Sequence, residues 1–157
     1  MKKPIESVWE YPRPPRLEPF DGTLEVRTGG TQVAMSTRGF RVLETSHPPG
    51  YYIPREDVTQ GMLERSGRTS VCEFKGVATY WHIRTGDRLI RDGAWSYEDP
   101  TEAFRPIAGH LAFYAEKMDD CFVNGERVIP QEGNFYGGWI TANIRGPFKG
   151  GPGTMGW

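Results

Sequence analysis

A chain of 157 residues has room for one domain with a real core, and its net charge of −1, with basic and acidic residues nearly balanced, offers no basic face for nucleic acid. Two cysteines, Cys72 and Cys121, are too few for a disulfide framework, and no apolar run is long enough to span a bilayer. Twenty glycines and thirteen prolines argue against long helices, so the many short runs of Val, Ile, Thr, Tyr and Trp predict a mainly β fold. The expected form is a compact folded sheet or a barrel-like domain with one or two short helices. The opening MKKPIESVWEYP has two lysines but no apolar stretch behind them, so it does not read as a secretory signal, and the expected setting is the cytoplasm.

Residues 1–22 read as a proline-rich arm. Pro4, Pro12, Pro14, Pro15 and Pro19 keep it extended, and Trp9, Tyr11, Leu17 and Phe20 give it apolar anchors. Such an arm is expected to lie on the domain or on a partner subunit. A single β-rich core is expected over 23–130. Thr23–Thr37 predicts a hairpin turning at Gly29-Gly30, and Arg41–Thr45 another short strand.

The next segment, Glu44-Thr-Ser-His47-Pro48-Pro49-Gly50-Tyr51-Tyr52, is a rigid turn in which either proline is a candidate for a cis bond. Rigid loops that present polar groups often carry function. Glu44 and His47 lie close along the chain, and a carboxylate that orients a histidine builds a general base. A histidine bonded simply to hold the turn fits the same spacing. Pro54–Arg65 predicts a short helix, with Glu56-Asp57 in its first turn, Val58 and Met62 on one stripe, and Gly67 beyond its end.

Ser70–Ile83 is the densest run of chemistry. Strand formers flank one glycine, so the run predicts a kinked strand or a strand–turn–strand with Lys75 delivered at the break. Lys75 reads as an anion-binding cation, as a base if desolvated, or as a solvated lysine lying on apolar surface. Cys72 reads as a nucleophile if a base sits beside it, or as a small buried hydrophobe. Thr85-Gly86-Asp87 makes a turn, Ala94–Tyr97 a strand with Trp95 and Tyr97 on one face, and Asp99-Pro100-Thr101 starts a second short helix that Pro106 and Gly109 curtail. His110–Tyr114 resumes strand character. Cys121–Ile129, turning at Asn124-Gly125, is the strongest hairpin signal in the chain. Residues 131–157 are rich in glycine and aromatics and read as a tail anchored by Trp139, Phe148 and Trp157 on the core or across a dimer. The glycines lack the Gly-Lys-Ser/Thr and following helix of a phosphate-binding loop.

The runs VLETSHPPGYYIPREDV, SVCEFKGVATYWHI and GAWSYEDPTEAFRPIAGHLAFYAEKM, in that order, resemble the domain of unknown function 427 family, sometimes given a nucleotidyltransferase-like label. The resemblance covers roughly Thr23–Pro130, and the flanking segments look like those of a longer subgroup. It implies sheets folded against each other around a central pocket, and no particular reaction. The family pattern falls on Glu44, His47, Cys72, Lys75, Gly76, Tyr80, Trp95 and Tyr97. Glu73-Phe74 stands where many relatives carry Pro-Trp. Nucleotidyl transfer needs acidic metal ligands and a phosphate cradle, and neither pattern is present in this sequence.

Three functions follow as expectations. In the first, a small molecule binds in a pocket lined by Tyr52, Tyr80, Trp95 and Tyr97, with Glu44, His47 and Lys75 orienting it. In the second, the same pocket is an enzyme site, with Cys72 or Lys75 as nucleophile, His47 as base and Glu44 as its orienter. In the third, the aromatic termini make an assembly protein, for instance a homodimer with exchanged arms. No cofactor and no metal are expected, since metal-ligand spacing is absent from the sequence. No nucleic-acid or membrane partner is expected either.

Overall fold

The computed structural model describes residues 4–133 and 135–157. The first three residues of the expected arm, and Asn134 of the expected tail, lie outside them. The N-terminal segment contributes β1 (Glu6–Ser7) and β2 (Arg16–Pro19). The hairpin of β3 (Leu24–Thr28) and β4 (Thr31–Ser36) follows, then β5 (Phe40–Leu43) and β6 (Gly50–Tyr52). The three longest strands, β7 (Leu63–Cys72), β8 (Gly76–Thr85) and β9 (Arg88–Ser96), form an antiparallel meander. Beyond it come β10 (Ala112–Phe113), the hairpin of β11 (Asp120–Val123) and β12 (Glu126–Arg127), and the short strands β13 (Ile129–Pro130), β14 (Trp139–Ile140) and β15 (Ile144–Arg145).

The fold is mainly β and folded-sheet in kind, and the described residues form no closed barrel. Three sheets do most of the packing, in the orders β10-β9-β8-β7, β12-β11-β3-β4 and β2-β5-β6. Strand side chains alternate between faces, so the meander has two different sides. Trp81, Ile83, Ile90, Ala94 and Phe113 join Leu24, Val26, Val33, Cys121 and Val123 of the second sheet in the larger core. Their neighbours Ala78, Tyr80, Trp95 and Ala112 join Val42 and Tyr52 of the third sheet, together with Tyr97 and Tyr114. Phe104 and Ile107, from a 3₁₀ helix over Glu102–Ile107, close one end of this cluster. The first core is aliphatic in the main. The second is built of rings that carry hydroxyls, and it borders the candidate site.

The hairpins appear where the turn residues put them. Gly29 and Gly30 both have positive φ, as do Asn124 and Gly125, the signature of the tight turns that suit twisted strands. The helix expected over Pro54–Arg65 does not form. Only Arg55–Asp57 winds, as one 3₁₀ turn, and β7 begins at Leu63. The segment finds strand partners instead: Val58 bridges Ala34, and the Thr59 N–H donates to the Val33 carbonyl at 2.8 Å. Gly61, at φ +86°, then redirects the chain. The spacing of Val58 and Met62 fits a helical stripe, but pairing to β4 satisfies the backbone first. The second expected helix is the 3₁₀ helix at Glu102–Ile107, with Pro106 inside it. Cis bonds precede Pro14 and Pro147, not Pro48 or Pro49.

Both terminal segments lie on the core and meet each other. β1 runs parallel to β15, and β2 pairs with β5. Val8 and Tyr11 pack with Leu43 and Ile144. The Trp9 ring stands edge-on to Trp157 at 5.2 Å, and its N–H donates to the Pro147 carbonyl at 2.7 Å. Among the described residues no helix is long and apolar enough to cross a membrane.

Candidate functional site

The ring-rich side of the meander is not filled. A cavity of about 260 Å³ opens there. Tyr52 reaches it from β6, Cys72, Lys75 and Tyr80 from the β7–β8 hairpin, and Trp95 and Tyr97 from the end of β9. Glu44 and His47, from the proline-stiffened loop, line the same space. All eight residues singled out in the sequence are thus brought to one hollow. A smaller hollow of about 60 Å³ shares Glu44, His47, Tyr52, Lys75 and Trp95 with it. Val71, Glu73 and Phe135 on the rim are exposed, so the cavity communicates with solvent.

Lys75 is placed by a pinned turn. Gly76 has φ +112°, a conformation that side-chain-bearing residues rarely adopt. The Thr101 N–H donates to the Lys75 carbonyl at 3.0 Å, and its hydroxyl donates to the Phe74 carbonyl at 2.7 Å. The turn therefore rests on the 99–101 loop, and the lysine side chain folds inward, leaving the residue only 9% exposed. Its ammonium lies 5.9 Å from the ring centre of Tyr97 and 5.8 Å from that of Phe104. Among the described residues no carboxylate lies within ion-pair distance of it, and the Cys72 thiol is within its hydrogen-bonding reach. Burial favours the neutral amine, but Tyr52, Cys72 and Glu44 outweigh it and hold the pKa above the ordinary lysine value. The group is an ammonium at neutral pH.

His47 is held by its loop and by a distant amide. The loop is clamped on both sides: the Ser46 N–H donates to the Val8 carbonyl at 3.0 Å, and the Lys149 N–H to the Ser46 carbonyl at 2.8 Å. The Gln131 side chain is oriented by two backbone groups, accepting from the Gly138 N–H at 2.9 Å and donating to the Lys149 carbonyl at 2.7 Å. That orientation points its NH₂ at His47 Nδ1, 3.3 Å away. Nδ1 is then the acceptor, and the network assigns the ring proton to Nε2. Burial, reinforced by the charges of Lys149, Lys75 and Arg13, pulls the imidazole pKa down to about 4. At neutral pH His47 is an uncharged ring whose Nε2–H is a donor.

Glu44 does not orient this ring. Its carboxylate faces Arg13 at 3.8 Å, and its link to His47 is through the backbone, the His47 N–H donating to the Glu44 carbonyl at 3.0 Å. The orienting role expected of Glu44 is filled by Gln131. Cys72 sits half-buried on the wall, and among the described residues no hydrogen bond joins its thiol to His47. Cys121 is sealed in the larger core, where burial pushes its thiol pKa up.

Tyr52, Tyr97 and Tyr114 act as neutral hydroxyls. Burial raises the pKa of Tyr52, Tyr97 and Tyr114 above the ordinary phenol value. The Trp95 N–H donates to the Tyr52 hydroxyl at 3.3 Å, and Ser70 and Tyr80 share a hydrogen bond at 3.0 Å. Three further lining residues come from the tail. Tyr136 packs edge-on against His47 at 4.7 Å, Lys149 lies 5.1 Å from the Tyr136 ring centre, and Phe135 accepts at its carbonyl from the Tyr114 hydroxyl at 2.7 Å. The aromatic richness of the tail signals packing without saying against what, and nothing in the sequence marks Gln131.

No curated protein matches the chain. The model of the domain of unknown function DUF427 matches residues 16–124, the span that carries Glu44, His47, Cys72, Lys75 and the four aromatic wall residues. That is more than half of the chain, and the protein belongs to the DUF427 family.

Proposed function

We propose that the protein binds a small molecule in the ring-lined cavity. One observation carries this reading: two largely buried polar residues with bonding capacity left over, Lys75 and His47, line a hollow together with the rings of Tyr52, Tyr80, Trp95, Tyr97 and Tyr114. Apolar walls with a few placed polar groups are the usual make-up of a ligand site. Neither the Lys75 ammonium nor the His47 Nε2 is among the buried side-chain atoms left without a partner in the described residues, so an occupant with acceptors for both takes the place of solvent in the hollow.

The catalytic reading has less behind it. A base needs a free acceptor nitrogen beside a nucleophile, and His47 Nδ1 is engaged by Gln131. Lys75, kept as an ammonium, is no nucleophile at neutral pH. The assembly reading is weakened by Trp9 and Trp157, which are engaged with one another on the same chain.

The test is a screen of the purified chain against a metabolite panel, read as melting temperature. A ligand that binds only the folded form raises it. The expected outcome is at least one compound that stabilises the wild type and has no effect on His47→Ala. An equal shift in the variant would remove His47 from the site. A panel without any shift would count against ligand binding altogether.

A further inference from the structure

The charge of the cavity narrows what it accepts. Resting on the ligand-binding reading above, we propose that the occupant is a small organic carboxylate built on a single flat ring, with its carboxylate at the Lys75 ammonium and its ring between the aromatic walls.

Lys75 lacks an anionic partner of its own among the described residues. The residue is 9% exposed, and among the described residues no carboxylate pairs with it, its neighbours being the Cys72 thiol and the rings of Tyr97 and Phe104. Its ammonium is not among the sealed, partnerless atoms of the described residues, so an anion in the hollow gains a charge-assisted contact there. Two carboxylates lie at the cavity, and neither meets the need. Glu44 faces Arg13, and Glu73 is exposed on the rim. Lys149 lines the cavity as a second cation, beside the neutral His47. The polar lining therefore holds Lys75, Lys149, His47 and Glu44, and with the Glu44 carboxylate shared with Arg13 the cations and the imidazole N–H are in excess. A carboxylate is the complementary group, since it only accepts and offers about four lone-pair sites. A neutral ligand would leave the charge unmatched, and a cation would add to it.

The rest of the cavity sets the body of the ligand. Tyr52, Tyr80, Trp95 and Tyr97 present their rings, and the phenols of Tyr52 and Tyr97 stay neutral. Offset and edge-on contacts between rings favour a flat aromatic partner. The volume of about 260 Å³ lies just under the ~300 Å³ at which drug-sized sites begin. One ring with a short acidic arm suits that space, and a nucleotide does not.

The test uses three probes of nearly equal shape and different charge: benzoate, benzamide and benzylamine. Each is titrated calorimetrically into the full chain. The expected result is that benzoate binds at least about ten-fold tighter than benzamide and that benzylamine gives no heat, in line with a charge-assisted contact in a desolvated site. In Lys75→Met the advantage of benzoate over benzamide disappears. The wild-type series is decisive alone, so the inference stands or falls even if that variant does not fold. Benzamide equal to benzoate in the wild type would overturn the carboxylate assignment and leave the cavity a ligand site. The same holds for three silent probes alongside a positive metabolite panel. Three silent probes and a silent panel together would overturn both readings.

Discussion

A histidine that is neutral because it is buried makes stability depend on pH. The ordinary imidazole value is 6.5, and His47 is pulled down to about 4 by burial and by Lys149, Lys75 and Arg13. As pH falls, the unfolded chain takes up this proton before the folded one does. The contribution is thus fully present above about pH 6.5 and lost as pH falls toward 4. Between pH 7.5 and 5 the loss from this one group comes to about 2 kcal/mol. Urea unfolding of the wild type and of His47→Gln at the two pH values should differ by that amount. An identical loss in both would show that the imidazole is not the group that titrates. The sequence brought Glu44 and His47 together by proximity, but proximity along a chain does not say which polar atom faces which. The partner that orients the ring, Gln131, lies 84 positions away, and a lone glutamine gives no signal.

At the level of elements, turns were legible and the first helix was not, and the reason is where each is decided. A glycine at positive φ is a local requirement, which the hairpins at Gly29-Gly30 and Asn124-Gly125 meet within the turn itself. Whether 54–65 coils depends on β4 lying alongside to accept the Thr59 N–H, and periodicity cannot see that neighbour. Gly76 is the turn residue on which the site depends. An alanine there keeps no steric clash, its Cβ standing 3.6 Å from the Asp99 carbonyl oxygen, but it must adopt φ +112°. Gly76→Ala should cost about 1–3 kcal/mol from that strain and, by shifting the turn, weaken the binding of any cavity ligand. Gly125→Ala, in a turn with no cavity residue, should cost stability of a similar order and leave ligand affinity unchanged. Equal effects of the two on affinity would mean that the Lys75 turn does not position the site.

On the scale of the whole molecule, the cavity depends on segments that contribute little chemistry themselves. The loop carrying His47 is gripped by Val8 from one end of the chain and Lys149 from the other. The N-terminal grip is fixed in turn by Arg41 of β5. Its guanidinium meets Glu6 of β1 at 2.9 Å and Glu18 of β2 at 2.7 Å, and Glu6 also accepts from the Tyr11 hydroxyl at 2.6 Å. The Arg41 side chain is 14% exposed against 25% and 32% for the two carboxylates, so the charges are partly but not wholly desolvated. Removing the cation leaves two carboxylates on one patch. The cost of breaking a fully buried pair, about 3–5 kcal/mol, falls to about 2 kcal/mol here because solvent screens the acids. Arg41→Met should therefore destabilise the chain by about that much and speed tryptic cleavage of the Arg16–Leu17 bond. It should also reduce ligand affinity without touching a cavity residue, because freeing Val8 frees the loop. Adding Glu6→Gln and Glu18→Gln to Arg41→Met should restore most of the stability, since the repulsion goes with the acids. If affinity stays at the wild-type level while the arm becomes sensitive to protease, the arm is a cover for Leu43 and Ile144 and nothing more.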